Sequence, residues 1–373
     1  MGSSGKQPPV TALDRSALEQ LWRRLRHDPV ALASVGVLVL LYATILFAGF
    51  LAPYSAHWND RALANASPTP VYMVDSRTGG LTAPYVLPVT KSFNPATFAY
   101  EYAPDLSQPS PVQFLVKGEP YTILGFIPGD VHLFGTTGGT PINLLGTDIN
   151  GRDIFSRMLF GGQVSLTIGF LGLLIAFPMG MIYGGLSGYL GGWIDNAMMR
   201  LAEIIMSIPT LYLLIGLAAI IPPNLSSSSR FAMVVVILAL IGWAPLSRVI
   251  RGMVLSIKSQ EFVEASRSIG LKTLPIIIRH VLPQTASYVL VAITLSVPGY
   301  ILAESGLSFL GLGIQQPDAS WGNMLKEAQD INNLLNRPLM MSPGFLIFLA
   351  VLAFNVLGDA VRDILDPKSA VRR

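Results

Sequence analysis

Few residues in this chain are of types that do chemistry, and their settings are unusual. Glu304 lies within ILAESGLSFLGLG, an apolar run, where an acid marks either a functional site or a hydrogen bond between helices. Ser305 and Ser308 are near enough along a helix to satisfy it locally; a place on a permeation path is the other reading. A second group is Asp148, Arg152 and Asp153 in LGTDINGRD, where Gly146 and Gly151 permit tight turns and the three charges can satisfy one another at a membrane edge. That is ion-pair chemistry, with substrate contact as its alternative. A third group is the polar, basic interlude EFVEASRSIGLKTLPIIIRHVLPQ, from Glu261 to Gln284, set between two long apolar runs.

Other chemistries are excluded or lack support. There is no Cys, which rules out disulfides, thiolate metal sites and Cys nucleophiles. The histidines, His27, His57, His132 and His280, are dispersed, so no metal site is expected. No G-x-x-x-x-G-K-[ST] occurs, so the chain has no phosphate-cradling loop and is not itself an ATPase. No nucleophile, base and acid set stands out, and no basic stripe with interleaved aromatics suits nucleic acid. The expectation is a non-catalytic chain without a cofactor of its own.

The elements that must position these groups are membrane helices. A composition of 51% hydrophobic and 13% charged residues, with a mean hydropathy of +0.53, does not describe a soluble enzyme. Six spans are read at Val30–Leu51, Val164–Tyr189, Leu201–Ile221, Phe231–Ile250, Thr285–Leu310 and Ser342–Leu357. Pro178, Pro209, Pro245 and Pro298 should kink them, and Gly180, Gly184, Gly188 and Gly192 form a smooth ridge for another helix. Ahead of the first span, residues 1–29 read as a tail followed by an amphipathic interfacial helix capped by Ser16 and Glu19 and ended by Asp28-Pro29.

Residues 52–145 are Pro-, Gly- and Tyr-rich and read as a β-rich extracytoplasmic insert. One hairpin is expected from Val112–Val116 and Tyr121–Ile127, turning at Lys117-Gly118-Glu119-Pro120, and another around Gly79-Gly80. The permease-like core is 146–365, and 366–373 form a tail. Most of the 25 Lys and Arg fall on one side if both termini are cytoplasmic, which also puts the 251–284 loop in the cytoplasm. Within that loop, Ser259 is the expected N-cap of a helix over Gln260–Ile269, Gly270 its left-handed stop and Thr273 the cap of a second turn.

Glu264-Ala265-Ser266, then Gly270, then Leu282-Pro283 resembles the "EAA" loop of permease subunits in binding-protein-dependent ABC importers, with Ser266 at the second small position and His280 as departures. The resemblance implies that Glu261, Phe262, Glu264, Ala265, Ser266, Gly270, Leu282 and Pro283 couple the chain to a cytoplasmic ATPase, the small pair allowing close approach. Leu145 to Arg157, Ile301 to Gly313 with Ser320-Trp321-Gly322, and Phe354 to Pro367 are similar to stretches of the dipeptide, oligopeptide and nickel class of that family. In the last of these, Asp359 and Arg362 can pair at the membrane rim.

The implied fold is an all-α polytopic protein of six transmembrane helices, like a type I importer permease, carrying the β-rich insert. The implied partners are a second homologous permease, two ATPase subunits holding ATP and Mg, an extracytoplasmic binding protein and the bilayer. Peptide import is the implied function, with nickel or metal-chelate import in the same family as an alternative. A secondary transporter or channel, or a non-transporting membrane anchor, are the rivals from other classes.

Overall fold

A computed structural model of the chain describes residues 22, 25–74, 79–95, 99–123, 125–222 and 224–365. The expected cap at Ser16 and Glu19 and the closing Asp366-Pro367 lie outside these residues. Helix α1 (Pro29–Leu46) starts where Asp28 accepts hydrogen bonds from Val30 and Ala31 N–H and Pro29 takes the first helical position. It is followed by α2 (Ile154–Leu190), α3 (Gly192–Ser207), α4 (Thr210–Ala218), α5 (Ser227–Ile257), α6 (Glu261–Ser268), α7 (Ala286–Phe309), α8 (Trp321–Ala328) and α9 (Ser342–Leu365). Among the described residues, five helices are long and apolar enough to cross a membrane, six if α3 and α4 count as one broken span.

That third span departs from the expected Leu201–Ile221 helix: α3 and α4 meet at 87°. Pro209 supplies no N–H and pushes Ile208 into extended backbone (φ −87°, ψ 127°), so the helix cannot run through. Pro178, Pro245 and Pro298 lie inside α2, α5 and α7 without ending them. Helix α2 begins at Ile154 rather than Val164 and α5 runs on to Ile257.

The core sits where α2 crosses α5. A Cβ on Gly180 would stand 2.8 Å from the Trp243 carbonyl oxygen and one on Gly188 2.7 Å from that of Arg251, and Gly184 faces Ser247 in the same way, so only glycine permits this approach. Gly192 does not belong to the ridge: it lies past the end of α2, with φ +61° and open space beside it. Leu166, Leu173 and Phe177 of α2, Leu246, Ile250 and Val254 of α5, Ile301 of α7 and Ile45 of α1 fill one cluster. The outer flanks stay apolar and exposed, as at Val39, Leu40, Leu174 and Phe348, the surface a bilayer solvates.

Between α1 and α2 run β1 (Tyr72–Val74), β2 (Leu81–Val86), β3 (Val89–Asn94), β4 (Ala99–Pro104), β5 (Ser110–Ile123) and β6 (Ile127–Thr136). The order β1-β2-β5-β6 makes one antiparallel sheet and β3-β4 a separate pair. The expected turn at Lys117 to Pro120 is not a turn. Those residues form an irregularity inside β5, and the chain reverses at Gly125 (φ +78°) and Phe126, with Ile123 opposite Ile127. Gly118 is required instead by the His132 ring, which occupies the space of a Cβ there. The His132 ring nitrogens also lie 2.5 Å from the Ala52 carbonyl oxygen and 2.9 Å from that of Glu119, holding the hairpin against the chain just past α1.

Candidate functional site: the elbow and the opposite edge

Helix α2 is about 55 Å long at 1.5 Å per residue, and a group of functional candidates lies at each end of it. At its C-terminal end is the elbow. Lys258 Nζ donates to the Gly188 carbonyl at 2.8 Å, and Arg267 Nε donates to the Tyr189 hydroxyl at 2.8 Å while its guanidinium stacks 4.7 Å from that ring's centre. Neither anchor was singled out from the sequence, because nothing in a local pattern pairs positions on α2 with the elbow. Ser259 is not the N-cap. Its hydroxyl donates to the Ser256 carbonyl in the last turn of α5, and Gln260 takes the cap position without a side-chain bond. Lys272 likewise precedes the second turn in place of Thr273.

On α6, Val263 and Ser266 face inward, Val263 with no exposure at all, while Glu261, Phe262, Glu264 and Ala265 face out. The expected small pair is therefore split: Ala265 is on the free face, and Ser266 is turned in, its hydroxyl donating to the Phe262 carbonyl at 2.8 Å. Glu261 and Glu264 occupy the first turn, where the helix dipole favours them. Gly270 N–H bonds the Arg267 carbonyl and Leu271 N–H that of Ser266, the two bonds of a Schellman stop, with Gly270 at φ +82°. Leu282 returns to the core and starts a short 3-10 turn, with Pro283 second in it, leading to α7. The exposed surface of the elbow thus includes Phe262, Ile269, Leu271 and Leu274 along with two acids, a composition suited to an apolar groove with basic walls.

At the N-terminal end of α2 is the charged motif. Arg152 Nε donates to Asp148 Oδ2 at 2.7 Å and Nη2 to Glu327 Oε1 at 2.8 Å, and Arg157 Nε lies 3.7 Å from the same Asp148 oxygen. All four side chains are nearly removed from solvent. Asp153 is not in this knot. It caps α2, accepting from Ser156 N–H at 2.7 Å, and burial pushes its carboxyl up to about 7 against that hydrogen bond. Burial also raises Glu327, with the charge of Asp148 adding to it and the two arginines opposing. Glu327, on α8, is the partner that sequence reasoning missed. Gly146 and Gly151, both at positive φ, lie against the backbone at Ala66 and Asp60, so the motif also seats the chain leaving α1.

Glu304 on α7 is fully buried. Ser308 Oγ donates to it at 2.7 Å and Ser305 Oγ at 3.3 Å, and the Ser165 and Ser320 hydroxyls lie against it. Ser320 caps α8 in a reciprocal box with Asn323, and Trp321 behind it is buried against α2, its ring N–H on the Met158 carbonyl at 2.9 Å. Glu304 therefore ties α2, α7 and α8 together. Asp359 and Arg362 form no pair; both are exposed, where an ion pair gains little.

A broken third span, glycine-sheathed helix packing and a protruding elbow define a polytopic membrane protein. Residues 156–371 match the family described as binding-protein-dependent transport system inner membrane component, and residues 16–68 the N-terminal TM domain of oligopeptide transport permease C. The chain belongs to that family of inner membrane components. It is 44% identical over 223 residues to the dipeptide transport system permease protein DppC of Bacillus subtilis, covering 60% of this chain and 68% of that one. It is 37% identical over 262 residues to a putative peptide permease protein of Brucella suis, covering 70% and 84%. A glutathione transport system permease protein, GsiD of Escherichia coli, is 40% identical over 60% of this chain and 71% of its own length. Among solved structures, the MetNI methionine ABC transporter in inward-facing conformations has a TM-score of 0.41 at 18% identity, over 56% of this chain and 93% of that one.

Proposed function

We propose that this chain is one of two homologous permease subunits of an ABC importer for dipeptides or oligopeptides, driven by ATP hydrolysis on two separate ATPase chains. The observation that carries the reading is α6: a short helix pinned to the membrane helices through Val263 and Arg267, with Glu261, Phe262, Glu264 and Ala265 turned outward, in a chain of the binding-protein-dependent family. Nucleotide-driven closure of the ATPases would move the elbow, and its anchors on Gly188 and Tyr189 would pass that motion to α2. The names of the relatives support peptide as the cargo, and the distribution of Lys and Arg supports a cytoplasmic elbow and termini.

Residues 52–145 would then face the binding protein on the other side. A cavity of about 870 Å³ between the chain after α1, the strands and Arg337 offers a surface for that contact. The test is reconstitution of this chain with its copurifying subunits in proteoliposomes and measurement of labelled peptide uptake. Uptake that requires ATP and the binding protein supports the proposal. Uptake that survives ATP depletion and follows an ion gradient would replace it with a secondary transporter, and uptake of a nickel chelate but no peptide would replace the cargo.

A further inference from the structure

On the elbow's half of the molecule, α3 and α5 enclose a cavity of about 270 Å³ whose lining includes Arg200, Arg248 and Arg251. Two of these have partners. Arg251 donates from Nε and Nη2 to the two oxygens of Asp195 at 2.8 and 2.5 Å, and the Ser187 hydroxyl bonds the same carboxylate. Arg200 lies 3.1 Å from Glu203 in an exposed pair along α3. Arg248 makes no hydrogen bond or ion pair with any described residue. Around the cavity three guanidinium groups thus meet two carboxylates, Glu203 in its lining and Asp195 outside it, and one positive charge is left unbalanced among the described residues.

The depth of that charge decides what would balance it. Helix α5, with 31 residues, is about 46 Å long, against about 30 Å of hydrocarbon in a bilayer. If α5 is centred on the bilayer it overhangs by about 8 Å at each end, and Arg248, about 14 Å from the Ile257 end, would have its Cα about 6 Å inside the hydrocarbon boundary. A guanidinium on a three-carbon stem reaches the phosphate level from there. The surface nearby, at Leu201, Ile204, Met206 and Val249, is exposed and apolar, as expected of a lipid-facing wall.

We propose that the Arg248 cavity binds the phosphate of an anionic phospholipid from the leaflet on the elbow's side. A phosphate offers the oxygen pair that a planar guanidinium takes up bidentately, and Asn196 adds an amide to the same cavity. The lipid would bridge α3, one half of the broken span, to α5. A carboxylate of a transported solute carries the same anionic oxygens, but the apolar wall favours the lipid. The site does not depend on which solute is carried.

The experiment is native mass spectrometry of the intact complex released from nanodiscs of phosphatidylcholine containing a minor fraction of phosphatidylglycerol, counting the phosphatidylglycerol retained. Arg248→Gln should lower retention about fivefold, the effect of one cationic side chain at an anionic surface. Arg248→Lys, which keeps the charge but not the bidentate fork, should restore part of it, and Arg279→Gln, which removes the same charge from the exposed elbow, should leave it unchanged. Because Arg248 is exposed and bonds no described residue, its replacement should leave the fold intact. Equal retention in Arg248→Gln and the unsubstituted chain would overturn the proposal. Displacement of the retained lipid by excess dipeptide would also overturn it, by assigning the cavity to a solute carboxylate.

Discussion

Gly270→Leu isolates the geometry of the elbow from its packing. Gly270 has φ +82° and, its own chain neighbours aside, no atom lies within 4 Å of where a Cβ would be, so a side chain there meets no obstacle from the rest of the fold. The cost is backbone strain alone, about 1–2 kcal/mol for an L-residue in left-handed backbone. The chain can relieve that strain by turning residue 270 out of the left-handed region, which breaks the bonds from Gly270 N–H to Arg267 and from Leu271 N–H to Ser266. The segment from Lys272 to Ile276 then leaves α6 in a new direction, and exposed Leu274 moves relative to Phe262. A bias of 1–2 kcal/mol changes an equilibrium by a factor of about 5–30, and the ratio of peptide imported to ATP hydrolysed in proteoliposomes should fall within that range. Folding of the spans should be unaffected. Gly270→Asn, which tolerates left-handed backbone, should stay near the unsubstituted ratio. Normal coupling in Gly270→Leu, or equal damage from Asn and Leu, would refute the reasoning.

Three further outcomes follow from the charged and buried groups. Arg152→Met strands Asp148 and Glu327 without their cation and should cost about 3–5 kcal/mol, read as a lowered Tm and poor recovery of folded chain from detergent. Asp153 has its carboxyl raised from 3.8 to about 7, so the fold favours the protonated acid. Its contribution is therefore undiminished below pH 4 and falls as pH rises towards 7, and Asp153→Asn should flatten that part of the Tm against pH profile. Glu304→Ala leaves the hydroxyls of Ser305 and Ser308 without their acceptor and should destabilise by roughly 1–3 kcal/mol. Glu304→Gln keeps an acceptor oxygen, and with near-normal uptake it would place this residue in the framework; lost uptake with an unchanged Tm would place it on the path.

Local sequence determined the elements wherever the physics is local. Apolar runs of bilayer length marked the spans, Asp28-Pro29 and Gly270 marked helix ends, and Gly180, Gly184 and Gly188 marked a packing ridge, because length, caps and small side chains act over one or two turns. The elbow was legible for the same reason, as was the family likeness carried by Glu264-Ala265-Ser266 and Gly270. Tertiary structure decided what joins what. Arg152 finds Glu327, Arg267 finds Tyr189 and Arg251 finds Asp195 across distances in sequence that no periodicity links. Ser266 turns inward because α6 packs through Val263, and Lys117 to Pro120 stays within β5 because that strand pairs with β6 on both sides of it. A cap or a turn competes with few alternatives, whereas a buried charge or a register can be satisfied by many partners. Which partner wins depends on how the whole chain closes around it.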